Sequence, residues 1–568
     1  MKKTAALVLI ALVMLATVLA GCNGQVSESP SSSPAVTQSP SVAPDDTTEA
    51  DGEPIAALPL TAEKKTLRFL AKQEATLEDL ATNLFTQWVE EQTNVHIEWE
   101  PIPQSIFGER FPLVLAGGDY PDVFFGCNIT PDQEMQYGVQ DKVFAPLNEL
   151  IDKHGMEMGK MFAQIDWMKA FITAPDGNIY SLPAYSNILH VDYAQKCFVR
   201  KSWMEGLGIG VPQTTEDFYQ MLLKFKNGDP NKNGNADEIP LAGSPREWHS
   251  AIYPFLVSAF ILDEGMYSEH LTIKDGKVIS ILNTEEYREA LRYLNKLYKE
   301  GLIDESSFTS QADQYKQLGE TGLLGAGMGG GQIMFLTSNA SQYYADYVTI
   351  PPLKGPAGVQ VTPSYKYGDV RLGQYALSTN CSDPDLAIRL ADFYYGYDAT
   401  MRFRIGVKGV HWRDGEPSEK GLDGRDAVYT TLESYTGGVQ NYHYGNTGLF
   451  FETNDMWTLD RKHDQSMDIM APEAMQQFLH LETVKNYEPY GSKDPVPPAR
   501  YLPDEQSEVS LLKTEITTSA DEARVRFITG DLSLDNDWES YLQTLEKAGL
   551  PRFLELRNQA YARQYGNK

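Results

Sequence analysis

Apolar residues recur in the first part of the chain at two spacings, one typical of strands and one of helices. Residues 66–72 (TLRFLAK) and 95–103 (VHIEWEPIP) have the pattern of strands, and residues 76–94 place apolar side chains at helical spacing. Thr76, with Asp79 three positions later, predicts a capped helix start. A strand, a helix and a strand within about forty residues predict a βαβ unit with parallel strands.

The same alternation continues beyond this unit. Residues 110–125 (RFPLVLAGGDYPDVFF) predict a helix that ends at a glycine pair, followed by a turn into an apolar strand. Residues 211–228 and 283–304 each predict an amphipathic helix with a capping residue at its start. Residues 238–243 (EIPLAG) predict a short strand. Because the pattern has no fixed period, we predict an α/β fold rather than a repeat architecture.

The start of the chain has the pattern of a secretory signal. Lys2 and Lys3 precede an apolar run over residues 5–20, which at about 16 residues is short for a membrane span of about 20. The run ends in Leu-Ala-Gly-Cys, which resembles the lipobox of bacterial lipoproteins. The resemblance implies that signal peptide 1–21 is removed, that the Cys22 thiol is acylated, for example with palmitate, and that lipid anchors the protein to the extracytoplasmic face of the cell membrane.

A polar segment, residues 22–62, separates Cys22 from the rest of the chain. It is rich in Ser, Pro, Thr and acidic residues and contains no aromatic residue, so it cannot bury enough apolar surface to offset the entropy of ordering. We predict a disordered linker that proline keeps extended. A stalk carrying O-linked sugars has the same composition and stays an alternative.

Charge and cysteine usage narrow the class of partner. The net charge of −30 disfavours direct binding to nucleic acid or to an anionic membrane surface. After Cys22 only Cys127, Cys197 and Cys381 remain, an odd and widely spaced set that predicts no disulfide framework. The sequence leaves open whether two of these three cysteines form a disulfide.

Residues 228–240 (GDPNKNGNADEIP) carry the clearest chemical motif. Asp229, Asn231 and Asn233 stand at alternate positions and Gly234 follows, which matches the opening of a calcium-binding loop. Alternate side chains converge when the backbone wraps around an ion, and the glycine permits the tight turn. Oxygen ligands of this kind favour a hard cation of calcium's size.

The motif departs from an EF-hand at its end. Pro240 stands where an EF-hand has its bidentate glutamate, and the acid is displaced to Asp237 and Glu238. The alternative is a polar turn with solvated acids. A metal here is expected to be structural, because no neighbouring His or Cys offers a nucleophile or proton shuttle. The candidate ligands are Asp229, Asn231, Asn233, Asn235 through its carbonyl, Asp237 and Glu238.

Several stretches resemble, in the same order, the landmarks of the extracellular solute-binding proteins, family 1, of bacterial ABC importers. They are LAGGDYPDVFF, APDGNIYSLPAY, FVRKSWMEGLGIGVPQTTEDFYQML, YVTIPPLKGPAG, YALSTNCSDPDLAIRLADFYYG and RVRFITGDLSLDNDWESYLQTLEKAGLPRFLELRNQAY. The branch resembled is that of the large oligosaccharide-binding lipoproteins. The resemblance implies a periplasmic-binding-protein-like fold, with two α/β lobes joined by a hinge and each lobe a mostly parallel sheet flanked by helices.

The resemblance also implies how the chain is divided. Residues 63–188 would form the first part of lobe 1, and residues 189–352 the first part of lobe 2. Residues 353–568 would return to complete both lobes. In the resembled branch a loop shaped like residues 229–238 binds structural calcium, which implies a calcium ion in lobe 2.

Sugar binding would require flat rings that stack on sugar faces and planar polar side chains that take the hydroxyls. The alternative for each ring is packing in the core or the hinge. Trp88 and Trp99 lie within the first helix and strand patterns and are expected to pack in the core or on the surface, and Trp538 is expected to anchor a helix start. The candidate ligand-binding residues are Trp248, Trp412, Tyr185, Tyr367, Arg371 and Trp457.

Signatures of common enzymes are absent from the sequence. It has no H-E-x-x-H, no C-x-x-C and no G-x-S-x-G. Residues 325–330 (GAGMGG) match G-x-G-x-x-G, but the following QIMFLTS is not the helix start that phosphate binding needs. The resemblance to the solute-binding family implies a monomeric binding protein, not an enzyme, that passes an oligosaccharide to ABC permease subunits. The alternatives are a calcium-dependent surface glycosidase or polysaccharide lyase, and a structural adhesin.

Overall fold

The signal peptide, Cys22 and most of the predicted linker lie outside the part of the chain that the structure describes. Within that part, no helix is both long enough and apolar enough to cross a bilayer. The computed structural model describes residues 57–265, 269–368, 370–433, 438–445 and 447–566.

The strands alternate with helices along much of the chain. In chain order the strands are β1 Lys65–Gln73, β2 Val95–Pro103, β3 Val123–Phe125, β4 Leu182–Ser186, β5 Lys196–Arg200, β6 Ile239–Ala242, β7 Leu271–Lys274, β8 Lys277–Ser280, β9 Leu324–Gly329, β10 Tyr347–Ile350, β11 Val370–Leu377, β12 Trp412–Asp414, β13 Tyr429–Thr431 and β14 Phe451–Glu452.

Most helices are short, and the longest lies near the end of the chain. The helices are α1 Leu84–Thr93, α2 Gln104–Gly117, α3 Pro131–Gln133, α4 Asn148–His154, α5 Met156–Gln164, α6 Met168–Ile172, α7 Leu189–Asp192, α8 Lys201–Gly206, α9 Thr215–Asn227, α10 Ile252–Val257, α11 Glu285–Lys299, α12 Ala312–Gly319, α13 Pro384–Tyr395, α14 Tyr397–Arg404, α15 Met475–Asn486, α16 Pro503–Thr529, α17 Trp538–Lys547 and α18 Leu550–Tyr565. Two π-helical turns span Glu134–Gln140 and Asp455–Leu459.

The first large sheet has six strands in the order β14-β4-β11-β3-β1-β2. Strands β1 and β2 pair in parallel from Lys65 opposite Val95 to Gln73 opposite Pro103, which confirms the predicted βαβ unit. Strand β3 is parallel to β1, and β14 is parallel to β4. Only β11 runs against its neighbours, β3 and β4.

The second large sheet has four strands in the order β10-β5-β9-β6. Strand β6 is parallel to β9, whereas β5 is antiparallel to both β9 and β10. This sheet is therefore mixed, and the expectation of a mostly parallel sheet holds only for the first. The chain enters the second sheet along β5 and leaves it along β10. These two neighbouring strands therefore run in opposite directions.

Apolar clusters cover each large sheet on both faces. On the first sheet, Leu67 and Phe69 belong to one cluster and Leu70 and Phe124 to another, as expected for a strand whose side chains alternate between faces. The second sheet shares a large cluster with α9, α11 and the terminal helices α16 to α18. We call the first sheet with its helices lobe 1, and the second sheet with α16 to α18 and its other helices lobe 2.

Helix α1 begins at Leu84 rather than at Thr76, so the predicted cap of Thr76 with Asp79 is wrong. Asn83 is the cap, and its side-chain oxygen accepts the backbone N–H two residues on at 2.9 Å. The preceding residues are held instead by a distant segment, because the backbone N–H of Gln440 donates to the carbonyl of Thr76 at 3.0 Å. This long-range pairing removes those residues from the helix.

Other predicted elements are confirmed. Helix α2 ends beside Gly118 in the left-handed conformation, and capping boxes or caps at Thr214 and Thr284 begin α9 and α11. Helix α17 begins at Trp538. The three remaining cysteines of the described chain are free thiols, so no pair forms among them.

Candidate ligand cleft and metal loop

Trp248 lies in the loop that follows strand β6, beside the carboxyl end of β9. The loop is closed by the backbone N–H of Ser244, which donates to the carbonyl of Ser250 at 2.9 Å. A β-carbon added at Gly330 would lie 2.0 Å from the Trp248 ring, so only a glycine lets the ring rest there. The side chain stays 38% exposed. Ligands of open α/β sheets bind beyond the carboxyl ends of the strands, which is where this ring stands.

His249 joins this loop to the connection between the lobes. Its ring centroid lies 4.7 Å from that of Trp248 and 4.4 Å from that of Tyr365, which follows β10 on the return to lobe 1. Burial, with the nearby charge of Lys196, lowers the pKa of His249 to about 3, so the ring is neutral at physiological pH. Its backbone has a φ of 51°, a strained conformation for a residue other than glycine. No sequence pattern indicated His249 or Tyr365 as a site residue.

Lys196 is fully buried where the chain enters lobe 2. Its ammonium donates to the carbonyls of His190, at 2.7 Å, and Tyr193, and lies 5.3 Å from the centre of the Tyr487 ring. The Tyr487 hydroxyl in turn donates to the carbonyl of Ile350 at 2.8 Å, where β10 ends. One ammonium therefore contacts segments from several parts of the connection between the lobes. Burial lowers the pKa of Lys196 to about 7.

We predict that Lys196 makes the stability of the protein depend on pH between about 7 and 10.5. Because its pKa is lower in the folded state than the ordinary value of 10.5, the unfolded chain binds more protons in this window. Stability therefore rises with pH there, by at most about 1.4 kcal/mol per pH unit, and the full penalty is present below the window. Denaturation of Lys196→Met and of the natural protein at pH 7 and 9.5 measures the difference. Equal changes in both proteins would exclude this role of Lys196.

Two predicted ligand-binding rings are buried within lobe 1. Tyr185 is 2% exposed and stacks on Phe451 with 6.1 Å between ring centroids. Trp412 is 4% exposed, and its indole N–H donates to the carbonyl of Gly406 at 2.9 Å. Neither ring has a face open to a ligand in this structure. Both rings pack in the core, which was the alternative to ligand binding for every candidate ring.

The other candidates lie at the edge of lobe 1. Tyr367 is half-buried and stacks on Phe171 at 5.9 Å. The Arg371 guanidinium, near the start of β11, lies 5.6 Å from the centre of the Phe450 ring. Trp457 is half-buried in the π-helical turn after β14. Arg371 lies in β11 and Trp457 follows β14. Both strands pair with β4, one on each side of it.

A buried ion pair supports Trp457. The guanidinium of Arg404 binds Glu452 at 3.1 Å and lies 5.6 Å from the centre of the Trp457 ring. Glu452 is 1% exposed and also accepts a hydrogen bond from the Ser186 hydroxyl at 2.7 Å. The ends of β4 and β14 are thereby fixed to α14, which gives the Trp457 ring a rigid base.

The loop after helix α9 wraps its polar side chains inward. The Asp229 carboxylate accepts the backbone N–H of Asn233 at 3.0 Å and that of Gly234 at 3.2 Å. The Asn233 amide donates to both oxygens of Asp237, at 3.0 and 3.1 Å. Its oxygen accepts the backbone N–H of Asn235 at 2.7 Å. Candidate ligands at alternate positions are thus brought together, as the calcium-loop pattern requires.

The carboxylate of Glu238 has no neutralising partner in this loop. Both of its carboxylate oxygens are buried and have no hydrogen-bond partner, although the residue as a whole is half-buried. Burial raises the pKa of Glu238, and the negative charges of Asp237 and Asp229 raise it further. A buried, unpaired carboxylate is costly, and a bound cation would remove that cost. The residues present therefore fit a hard cation.

Acidic side chains alone do not complete the site. No group of three His, Cys, Asp or Glu side chains close enough to hold a metal occurs anywhere in the described ranges. A cation in this loop would depend on the amide oxygens of Asn231 and Asn233 and on the carbonyl of Asn235 as well. Oxygen donors of mixed type, at flexible distances, suit calcium better than magnesium.

A sequence model of the family described as bacterial extracellular solute-binding protein matches residues 71–401, more than half of the chain. The chain is a bacterial extracellular solute-binding protein. The matched stretch runs from β1 to α14 and includes Trp248 and the loop after α9. Membership of this family confirms the expectation of a binding protein rather than an enzyme.

Two relatives match this solute-binding protein over most of their length. The fructooligosaccharide ABC transporter substrate-binding protein FusA of Streptococcus pneumoniae serotype 4 is 26% identical over 530 residues, which are 89% of this chain and 92% of FusA. The lipoprotein LipO of Bacillus subtilis is 22% identical over 493 residues, which are 83% of this chain and 88% of LipO.

Solved structures establish the fold of this solute-binding protein. An EF-hand mutant of S. pneumoniae FusA in complex with fructo-nystose has a TM-score of 0.67 and 24% identity, covering 89% of this chain and 100% of that one. The HMO-binding solute-binding protein of Bifidobacterium longum infantis has a TM-score of 0.70 and 19% identity, covering 88% and 99%. The periplasmic-binding-protein-like, two-lobe α/β fold is thereby confirmed.

Proposed function

We propose that this protein captures an oligosaccharide between its two lobes and delivers it to the permease subunits of an ABC importer. The observation that carries the proposal is the Trp248 ring, held against Gly330 at the carboxyl ends of β6 and β9 and 38% exposed. A flat apolar ring in this position is a stacking surface for a sugar ring. The relative FusA is a fructooligosaccharide-binding protein of an ABC transporter, which supports the same ligand class.

Lobe 1 supplies the opposite wall in this proposal. Arg371 and Trp457 lie where β11 and β14 meet β4, and Arg404 fixes the base of Trp457. A ligand that contacts Trp248 in lobe 2 and these side chains in lobe 1 stabilises the closed arrangement of the lobes over the open one. Capture is therefore a hinge closure that the ligand's contacts with both lobes drive.

We propose a neutral rather than an acidic oligosaccharide. The chain carries a net charge of −30, and a field of that sign lowers the local concentration of anionic ligands and slows their association. Oligosaccharides built from uronic acids are disfavoured for this reason. Fructooligosaccharides and other uncharged oligosaccharides meet no such barrier.

Calorimetric titration with kestose, nystose, maltotriose and trigalacturonate tests the ligand class, with chromatography of each mixture after incubation. We expect at least one neutral oligosaccharide to bind with a stoichiometry of one, trigalacturonate not to bind, and every sugar to be recovered intact. Failure of all the neutral sugars to bind, or the appearance of cleavage products, would contradict the proposal.

We also propose that the loop of residues 229–238 holds a structural calcium ion. Asp229, Asn231, Asn233, Asp237 and Glu238 would supply side-chain oxygens, and Asn235 its carbonyl. The two buried, unpartnered oxygens of Glu238 support this assignment most directly. The ion would fix the end of α9 to the start of β6 and so stabilise lobe 2.

We propose further that the protein acts as a monomer tethered to the membrane by lipid on Cys22. The linker before residue 57 would then give the two-lobe body room to reach the permease. Leu60, near the end of the predicted linker, already packs in the core of lobe 1. The relative LipO is a lipoprotein, which supports this kind of anchoring.

A further inference from the structure

Arg500 connects the two lobes at a point remote in sequence from Trp248 and from the metal loop. It lies three residues before the first residue of α16, and its side chain is buried. One guanidinium nitrogen pairs with the carboxylate of Glu134, and another donates to the carbonyl of Phe171 at 2.9 Å. Glu134 is 1% exposed and also accepts a hydrogen bond from the hydroxyl of Ser181. The result is a buried ion pair with hydrogen bonds on both sides.

The partners of Arg500 belong to the other lobe. Val496, four residues before Arg500, and Tyr501, directly after it, lie in the apolar cluster shared by the second sheet and the terminal helices. Phe171 lies in a cluster of the first sheet, and Glu134 stands in the π-helical turn that follows β3. The ion pair therefore crosses from lobe 2 to lobe 1.

Gln564, in helix α18, makes a second crossing beside the first. Its side-chain oxygen accepts the backbone N–H of Arg500 at 3.1 Å, and its amide donates to the carbonyl of Ala170 at 3.0 Å. Ala170 is in α6 of lobe 1, next to Phe171. Two polar links thus join the same pair of surfaces.

Cavities lie on both sides of Arg500. One of about 400 Å³ is lined by Lys169, Thr173 and Arg563, and one of about 310 Å³ is lined by Asp132 and Lys513. The contact around Arg500 is therefore incompletely packed. Its polar bonds then have a large share in holding the lobes at one angle.

Two donors at this contact are left without a partner. One terminal nitrogen of Arg500 and the hydroxyl of Tyr501 are buried and make no hydrogen bond within the described part of the chain. A buried donor without a partner is costly, so these two groups weaken the contact and make it easier to break.

We propose that Glu134, Arg500 and Gln564 form an inter-lobe clasp that sets the angle between the lobes from outside the ligand cleft. While both links are made, the lobes have one preferred angle. Removing either charge leaves the other buried and uncompensated, which drives the surfaces apart so that water can reach it. Ligand affinity then depends on the clasp, because closing the lobes around a ligand either keeps the bonds of the clasp or breaks them. The inference rests on the two-lobe fold and not on the identity of the ligand.

Distances between spin labels on the two lobes test the clasp. Leu113→Cys in α2 and Leu511→Cys in α16 place labels at exposed positions of lobe 1 and lobe 2. Cys381→Ser removes the one described thiol that is not buried, and Cys22→Ser keeps position 22 free of both lipid and label. With the clasp intact we expect one narrow distance distribution by pulsed electron resonance. In Glu134→Gln and in Arg500→Gln we expect the mean to shift by several ångströms or the width to at least double. An unchanged distribution in both variants would overturn the proposal.

Arg200→Gln is the matched control. It breaks a largely buried ion pair with Asp346, 3.0 Å long, that lies wholly within lobe 2. We expect it to lower the melting temperature without changing the distance distribution, and an equal change in distance would count against the clasp. If the charge variants do not fold, Gln564→Ala cuts the second link at a half-buried position and is expected to broaden the distribution. Arg500→Lys, which retains the charge, is expected to restore part of the narrow distribution.

Discussion

The Trp248→Ala variant is expected to bind its oligosaccharide at least about 30-fold more weakly than the natural protein. Truncation of a tryptophan at the centre of a binding surface typically costs about 2 kcal/mol or more, which corresponds to this factor. The ring is more than one-third exposed, so its removal changes the melting temperature little. Calorimetric titration with the sugar identified for the natural protein measures the loss.

A second variant tests the position of the ring rather than its presence. In Gly330→Ala the new methyl group would lie 2.0 Å from the ring of Trp248, so the ring must move, and we expect a comparable loss of affinity. Tyr397→Ala is the control, because Tyr397 is also exposed but lines a separate cavity with Leu58 and Asp392. Full affinity in Trp248→Ala, or an equal loss in Tyr397→Ala, would show that the sugar is held elsewhere.

Removal of calcium is expected to lower the melting temperature of the protein by about 5–10 °C. An ion present at about 100 times its dissociation constant contributes about 2.7 kcal/mol to the free energy of unfolding. For a body of roughly 150–250 residues, about the size of one lobe, each kcal/mol corresponds to about 2–4 °C. Calorimetric scans with chelator and with added calcium measure the shift, and elemental analysis counts the ion.

Variants of the loop separate calcium binding from a general effect of chelation. Glu238→Gln and Asp237→Asn each remove one anionic ligand, and we expect both to melt at nearly the same temperature with and without calcium. Asp275→Asn removes an acid in the turn between β7 and β8 and should respond to calcium like the natural protein. An identical response in all four proteins, or no bound ion in the natural one, would exclude the loop as the site.

The elements that could be predicted from sequence are those whose partners lie nearby in the chain. The caps at Thr214 and Thr284 depend on residues a few positions apart, and strands β1 and β2 pair across only about 30 residues. The structure confirms them all. The start of α1 could not be predicted in this way. It is set by backbone pairing between Thr76 and Gln440, which no local pattern records.

The metal loop and the ligand cleft also differ in how far apart their parts lie in the chain. The loop of residues 229–238 converges through contacts within itself, so alternate polar positions were enough to indicate it. The cleft is assembled from distant segments. Whether a ring such as Tyr185 or Trp412 faces a ligand or the core is decided by the elements that cover it, and both are buried. His249 was missed because its neighbour Tyr365 is more than one hundred residues away.

The place of β11 in the first sheet has a consequence for biosynthesis. This strand stands between β4 and β3, yet it is made about 250 residues after β3 and about 185 residues after β4. At ribosomal rates of about 5–20 residues per second, the open edges of these two strands wait roughly 10 to 50 seconds for their partner. Throughout that interval the nascent chain presents unpaired strands and remains unable to complete its first domain, so a chaperone or export factor that binds extended polypeptide has time to engage it.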